Sequence, residues 1–391
     1  MGHTAAKTSI IVGLDASGIK SGGGLAHLVE LVSAAKPERA GISKVVLWAE
    51  RSAAEVLPQR NFLEVVQPRE FNSGLLARAL WQRRSLPRLA RAARCDVIFV
   101  PSGTSVSSCG PLVGLSQNML PFQWEEARRY GASRMLARIM LLRRTQGSLV
   151  RRADGYIFLT KFACDRIQKE LGFSRESVTI PHGVANHFRS PPRPAMRIED
   201  CGPGRPFRIL YVSILDVYKH QWNLAEAVAR LGRSGLPIRL DLVGPAYPPS
   251  ARLLARTLKR VDPDRRWVHY AGPVPNAQLP AQYAQTDLVA YASSCENLPI
   301  IMLEAMASGK PIACSDRGPM PEVLGPKGNY FDPENVDSIA KCLETMVRDP
   351  ALRDRSAADS YARSLPYTWE RCADETFAYL AEVARRSSGT R

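Results

Sequence analysis

The chain has 391 residues, enough for two domains of ordinary size. Its 45% hydrophobic content suits a soluble globular protein, and no run of 18 apolar residues offers a transmembrane helix. Eight scattered cysteines without a Cys-x-x-Cys pair argue against a zinc ribbon or disulfide framework, while a net charge of +16 directs attention to anionic partners.

The opening residues, Met1-Gly2-His3-Thr4-Ala5-Ala6-Lys7, run straight into Ile10-Ile11-Val12 without a signal-peptide cleavage pattern. That start, with the cysteine usage, predicts a cytoplasmic protein. Short apolar runs then alternate with longer helical stretches, the signature of parallel α/β folding. The strands predicted in the first half are Ser9–Val12, Val45–Trp48, Leu63–Val66, Val97–Val100, Leu112–Leu115, Tyr156–Leu159 and a short Val178–Ile180. After the first strand comes Gly18-Ile19-Lys20-Ser21-Gly22-Gly23-Gly24, where glycines before a helix let backbone approach an anion closely. It matches neither a Walker A sequence nor Gly-x-Gly-x-x-Gly, and a plain flexible loop is the competing reading.

Two basic stretches follow. Six arginines and no acid lie between Phe71 and Cys95, and eight arginines and no acid between Ala127 and Ala153. Both read as helices, accompanied by Leu75, Leu76, Leu80 and Trp81 in the first and by Met135, Leu136, Ile139, Met140 and Leu142 in the second. An anionic membrane surface is the favoured partner, each cation near it adding about 1 kcal/mol. A solvated basic face and a nucleic-acid footprint are the rivals. No nucleic-acid motif accompanies the charge, so no nucleic-acid partner is expected.

Proline and glycine crowd Arg189-Ser190-Pro191-Pro192-Arg193-Pro194 and Gly202-Pro203-Gly204, which read as a linker with a hinge near 184–205. Strands resume at Arg208–Val212, Arg239–Val243, Trp267–Tyr270, Leu288–Tyr291 and Ile312–Cys314. Lys219 follows the first of these and precedes a helix, a place where a cation can neutralise a diphosphate. Between the last two lies the most informative segment, Ser294-Cys295-Glu296-Asn297-Leu298-Pro299-Ile300-Ile301-Met302-Leu303-Glu304-Ala305-Met306-Ala307-Ser308-Gly309-Lys310-Pro311. It reads as strand, loop and a short helix ended by Gly309-Lys310-Pro311. The helix start is a ready anion site, because its N–H groups lack partners and carry partial positive charge. A carboxylate just before it can hold sugar hydroxyls, and one two turns further on can hold a ribose.

The order Glu-x7-Glu followed by Ala-Met-Ala-Ser-Gly-x-Pro resembles the retaining, nucleotide-sugar-dependent glycosyltransferases of family 4, which have the GT-B fold. The resemblance covers nearly the whole chain and is most specific over 209–223 and 288–318. It implies two Rossmann-like doubly wound domains facing a central cleft: 1–190, completed by a returning C-terminal helix at 367–391, and 200–366. It implies contact with the donor sugar for Glu296, with the ribose for Glu304, and with the diphosphate for the backbone of Asn297, Leu298, Pro299 and Ile300. It also implies a diphosphate clamp at Lys219, although Ser213 and Ile214 stand where the family commonly has a second cation, an arginine. Gly23 and Gly24 match a Gly-Gly loop that meets the diphosphate and acceptor. Where several relatives have a histidine, this chain has Leu115-Ser116-Gln117-Asn118, so Asn118 is placed with Glu296 and Lys219 in the catalytic set, Gln117 being the alternative. Pro181-His182-Gly183-Val184 resembles the family's Pro-Asn-Gly-Val, which makes His182 a substrate-site or hinge-turn candidate.

The expected activity is hexosyl transfer with retention from a nucleotide-sugar to a glycan or lipid-linked cell-envelope acceptor, as in lipopolysaccharide or other polysaccharide biosynthesis. It would need no cofactor and no obligatory metal, and would occur peripherally on the inner face of the membrane. Rival readings are a GT-B-type sugar-nucleotide epimerase and a non-catalytic nucleotide or nucleic-acid binding protein. Asp262-Pro263-Asp264 imitates a metal-binding pair but sits in a polar loop, and His27, His187 and His269 lack ligand-like spacing.

Overall fold

The computed structural model of the chain describes residues 9–20, 22–68, 71, 74–172 and 177–388. Residues 1–8, Ser21 of the glycine loop and the side chains of Leu75 and Leu76 lie outside that set.

Two compact units form. The first comprises Met1–Phe122, Ser133–Gly183 and Thr368–Arg391; the second comprises Gln123–Ala132 and Val184–Tyr367. In the first, β1 (Ile10–Asp15), β2 (Ile42–Trp48), β3 (Leu63–Val66), β4 (Val97–Val100), β5 (Leu112–Leu115), β6 (Gly155–Phe158) and β7 (Val178–Thr179) make one parallel sheet in the order β3-β2-β1-β4-β5-β6-β7. In the second, β8 (Phe207–Val212), β9 (Ile238–Val243), β10 (Val268–Gly272), β11 (Leu288–Tyr291), β12 (Ile312–Ser315) and β13 (Asn329–Phe331) are ordered β10-β9-β8-β11-β12-β13, again all parallel. Strands such as Val97-Ile98-Phe99-Val100 and Leu288-Val289-Ala290-Tyr291 are buried throughout. That is what a parallel sheet covered by helices on both faces requires, and why they read as unbroken apolar runs.

Strand order reverses between β1 and β4 in the first unit and between β8 and β11 in the second. In open α/β sheets a ligand crevice forms outside the carboxyl ends of the strands at such a switch point. The glycine loop follows β1, the Lys219 loop follows β8 and the Glu296 loop follows β11.

Three features depart from the sequence expectations. β13 has only three residues, too few for a periodic signal. The second arginine-rich stretch is not one helix: Arg128–Tyr130 is a 3-10 turn grouped with the second unit, and the helix Arg134–Arg152 begins after Ser133, whose hydroxyl accepts the Leu136 N–H at 3.2 Å. The proline-rich linker is strapped along the second unit rather than running free. Ser190 N–H donates to Ala307 O at 2.9 Å, Ala195 N–H donates to Asp354 Oδ1 at 2.7 Å, and the buried Arg353 guanidinium donates to Met196 O. The helix Trp369–Ser388 packs in the first unit against the helix Gly22–Ala34 and β4.

Candidate active site

In the second unit the chain turns sharply after β8. Tyr211 OH donates to Lys219 O at 3.1 Å, and the amide of Gln221 donates to Ser213 Oγ at 2.9 Å and Ile214 O at 2.8 Å. Gly244, with φ +140°, lets β9's end pass close beneath, since a Cβ there would sit 2.1 Å from Ser213 O. The β8 loop is stitched to the β11 loop: Ser294 N–H donates to Tyr218 O at 2.8 Å, and His220 Nε2 pairs with Ser294 Oγ at 2.9 Å. Burial pushes the His220 imidazole down to about 4, aided by the charge of Arg129, so it pairs in its neutral form.

These stitches bring together groups 77 positions apart. The Lys219 ammonium forms an ion pair with Glu296 Oε1 and donates to Tyr291 OH at 3.3 Å, and Tyr291 OH donates to the same Glu296 oxygen at 2.8 Å. The Lys219 and Glu296 side chains are only 7% and 14% exposed. The rings of Tyr218 and Tyr291 lie 5.2 Å and 5.3 Å from the ammonium, at cation–π range. Lys219 is thus held by a carboxylate, a phenol and two aromatic faces. Ile214 is exposed and brings no charge. The guanidiniums whose charge reaches His220 in this loop are Arg129 and Arg317.

The helix after the loop is Ile300–Ala307. Pro299 provides no side-chain cap, and its carbonyl accepts the Met302 N–H at 3.0 Å. Ile300 and Ile301 therefore begin the helix with N–H groups that have no acceptor within it. Its far end closes as the sequence predicts. Gly309 sits at φ +61°, Gly309 N–H donates to Met306 O at 3.1 Å, and Lys310 N–H donates to Ala305 O at 3.4 Å, the paired bonds of a Schellman stop. Glu304 lies inside, 4% exposed, bonded by Tyr283, with Oε2 buried and lacking a partner. Burial raises its carboxyl to about 7, offset in part by the Tyr283 hydroxyl. Asn297 and Leu298 are buried too.

The first unit holds the other candidates, spread more widely. Gly22 and Gly23 open the helix Gly22–Ala34 on the surface, with open space where a Cβ would stand. A Cβ at Gly24 would lie 3.5 Å from Gln117 Oε1, so Gln117 is the amide beside this loop. Asn118 is exposed, and its Oδ1 accepts the Leu120 N–H at 3.1 Å, a local turn. His182 is buried, and its Nδ1 lies 2.8 Å from the Nδ1 of His27, a residue that sequence spacing had set aside. Both rings pack on Trp369, with centroids 5.8 Å and 5.5 Å away. Burial lowers His182 well below its ordinary value and His27 to about 4. Two neutral imidazoles can share one proton between their Nδ1 atoms, whereas two imidazoliums would repel.

Sequence reasoning missed Tyr291, Tyr218, Tyr283 and His27 as site neighbours. Tyr291 had a signal, being the last residue of a strand read correctly and five before Glu296. The Asp262-Pro263-Asp264 decoy resolves simply: the Asp262 carboxylate accepts the N–H groups of Arg266, Trp267 and Val268. Among the described residues, no group of three or more His, Cys, Asp or Glu could hold a metal ion.

Comparison with known proteins agrees with this geometry. The family profile "Glycosyltransferase Family 4" matches residues 21–187, and "Glycosyl transferases group 1" matches residues 199–364. The chain is similar to O-antigen chain mannosyltransferase B of Escherichia coli, with 34% identity over 110 residues, 28% of this chain and 29% of that protein. It is also similar to the MMP alpha-(1->4)-mannosyltransferase of Mycolicibacterium hassiacum, with 28% identity over 261 residues, 61% of this chain and 60% of that protein. Each match spans less than two thirds of the relative's own length. Among solved structures, sucrose-phosphate synthase of Thermosynechococcus elongatus shares the fold, with a TM-score of 0.75 at 15% identity over 98% of this chain and 100% of that one. With matching profiles on both halves, two doubly wound parallel sheets and the Glu-x7-Glu helix start, the chain belongs to the glycosyltransferases of family 4 type with the GT-B fold.

Proposed function

We propose that the protein transfers a sugar, with retention of configuration, from a nucleotide-sugar to a glycan or lipid-linked acceptor of the cell envelope. The observation that carries this reading is the closed triangle of Lys219, Glu296 and Tyr291 beside the start of the helix Ile300–Ala307, with the unpartnered Glu304 Oε2 further along that helix. In the reaction the bond from the sugar's anomeric carbon to the diphosphate breaks. A bond to an acceptor oxygen forms, the acceptor hydroxyl passes its proton to the departing diphosphate oxygen, and the nucleoside diphosphate leaves. The Lys219 ammonium and the amides at the helix start stabilise the charge that builds on the diphosphate. Glu296 accepts hydrogen bonds from the donor sugar, and Glu304 Oε2 takes a ribose hydroxyl, giving a buried acceptor the partner it lacks. Arg129 or Arg317 supplies the second cation that Ile214 does not. Gly23 and Gly24 let backbone approach the acceptor or phosphate, Gln117 or Asn118 bonds hydroxyls, and His182 stiffens its own unit through His27. No metal is required in this scheme.

The acceptor is proposed to be met at an anionic membrane surface. No helix among the described residues is long and apolar enough to cross a membrane. The helix Arg134–Arg152 exposes Met140 and Leu141 between Arg138 and Arg144, and the helix Gly74–Ala92 exposes Leu80 beside Arg83 and Arg84. Apolar side chains ringed by cations suit an interface of anionic headgroups.

A thermal-shift panel of nucleotide-sugars, with plain nucleotides as controls, tests the reading, since a specific ligand stabilises by mass action. Two relatives are mannosyltransferases, so mannosyl donors come first. A donor that stabilises the protein and is consumed only with an acceptor supports transfer. Conversion of donor without acceptor would instead mark an epimerase, and the absence of any nucleotide-sugar effect would reject the proposal.

A further inference from the structure

The proline-rich strap has a second consequence at the opposite end of the donor unit. Phe207, Leu288 and Ile312 are the first residues of β8, β11 and β12, whereas the Lys219 and Glu296 loops follow the last residues of β8 and β11. Beneath those strand starts lies a cavity of about 290 Å³ lined by Arg193, Arg205, Arg208, Lys310 and Arg353. That size is at the low end for small-molecule sites. Two carboxylates, Asp287 and Asp354, share the lining. Each accepts a backbone N–H, from Arg208 at 2.8 Å and from Ala195 at 2.7 Å, and keeps its charge, so five cations face two carboxylates across the lining.

The cations divide into two kinds. Three are fixed: Arg353 and Lys310 by carbonyls that leave their charge in place, and Arg208 by an ion pair with Asp241 at 3.1 Å. Arg353, 1% exposed, donates to the carbonyls of Met346, Val347 and Met196; Lys310 donates to Thr286 O at 2.8 Å and Ala284 O at 3.3 Å; Arg208 donates to Asp241 and Gln285. Burial lowers both Arg353 and Lys310, and the nearby Asp287 carboxylate offsets this only in part. The other two, Arg193 and Arg205, come from the strap, are exposed, and form no side-chain hydrogen bond or ion pair among the described residues. Planar guanidiniums free at a cavity mouth, above a fixed cationic floor, match the bidentate geometry of a phosphate group.

We propose that this cavity is a second anion site, binding a phosphorylated small molecule at the edge of the sheet opposite the Lys219–Glu296 end. The inference does not depend on the transfer reaction. Titration calorimetry of the full chain with pyrophosphate tests it. Two sites are expected in the wild type, one of which weakens at least about tenfold in Arg193→Glu/Arg205→Glu and survives in Lys219→Met/Glu296→Gln. The exposed arginines should leave the melting temperature unchanged; should the double variant misfold, Arg205→Ser alone gives the same readout. Unchanged pyrophosphate binding in the arginine variants, or complete loss of it in folded Lys219→Met/Glu296→Gln, would overturn the proposal. Parallel arms use a hexose 6-phosphate and phosphatidate vesicles. Arginine-dependent binding of either supports the phosphate site, and which of them binds names its source.

Discussion

The carboxyl ends of the two sheets are built differently. In the second unit, Lys219, Glu296, Tyr291 and Glu304 are buried or nearly so, and their charges are paired or suppressed before any ligand arrives. In the first unit, Gly22, Gly23 and Asn118 are exposed, and the buried His27–His182 pair faces Trp369 instead. The contrast suits the two tasks that the proposed function gives the units. A fixed diphosphate and ribose reward preorganised, desolvated groups, whereas a variable acceptor needs open backbone and adaptable surface.

The largest expected effect breaks the donor side. Lys219→Met should lower turnover about 10²–10³-fold, as does loss of one preorganised charge stabiliser elsewhere. It should also destabilise the unit by about 3–5 kcal/mol, because Glu296 keeps a poorly solvated charge without its partner. Lys219→Met/Glu296→Gln should recover much of the stability and none of the activity. Denaturation curves and initial rates check both, and a double variant no more stable than the single would show that the pair is not electrostatically coupled. Next in size, Glu296→Ala should slow transfer more than it weakens nucleotide binding, while Glu304→Ala should weaken nucleotide binding first. Near-wild-type turnover in both would reject these assignments.

The comparison sharpens with pH, because Glu304 in the second unit and His27 in the first should respond in opposite directions. Glu304 has a folded value near 7 against an ordinary 4.5, so between those values the folded state holds more proton than the unfolded one. Its contribution is complete below about pH 4.5 and is lost as pH rises through about 7, on the order of 3 kcal/mol. Glu304→Gln should flatten that slope. His27, lowered from 6.5 to about 4, does the reverse: its contribution is present above pH 6.5 and is lost as pH falls toward 4, again on the order of 3 kcal/mol. Trp369 emission reports this acid-side loss, and His27→Phe should reduce it, leaving the share of the neighbouring buried His182. Parallel slopes in wild type and variants would refute the burial argument.

Smaller effects belong to the surface. Reversing Arg84, Arg138 and Arg144 to Glu should reduce co-sedimentation with anionic liposomes, by about 1 kcal/mol for each cation that met the surface. Arg143 is a poor choice, being tied to Glu170 at 3.0 Å and Pro121 O at 3.1 Å. Asn118→Ala should cost about 1 kcal/mol of stability through the lost turn bond, with turnover within a few-fold of wild type. A large loss of turnover would favour Asn118 over Gln117 as the amide that meets the substrate.

Much of this molecule was legible in order along the chain. Twelve of the thirteen strands were legible in the sequence, most clearly buried ones such as β4, β5, β11 and β12, which are unbroken apolar runs bounded by turn residues. The helix stop at Gly309 was legible because its bonds join neighbours. The positions of Glu296, Glu304 and Lys219 after strands were fixed by the same local pattern. What only the tertiary structure decided has large separations: Lys219 with Glu296 across 77 residues, His27 with His182 across 155, and the 123–132 segment grouped with the later unit. It also decided that a proline-rich strap carries two arginines to a cationic cavity. Periodicity and capping act over a few residues, so they place a side chain on an element and a face. Which distant side chain it meets depends on the order in which strands pair, and no local preference encodes that.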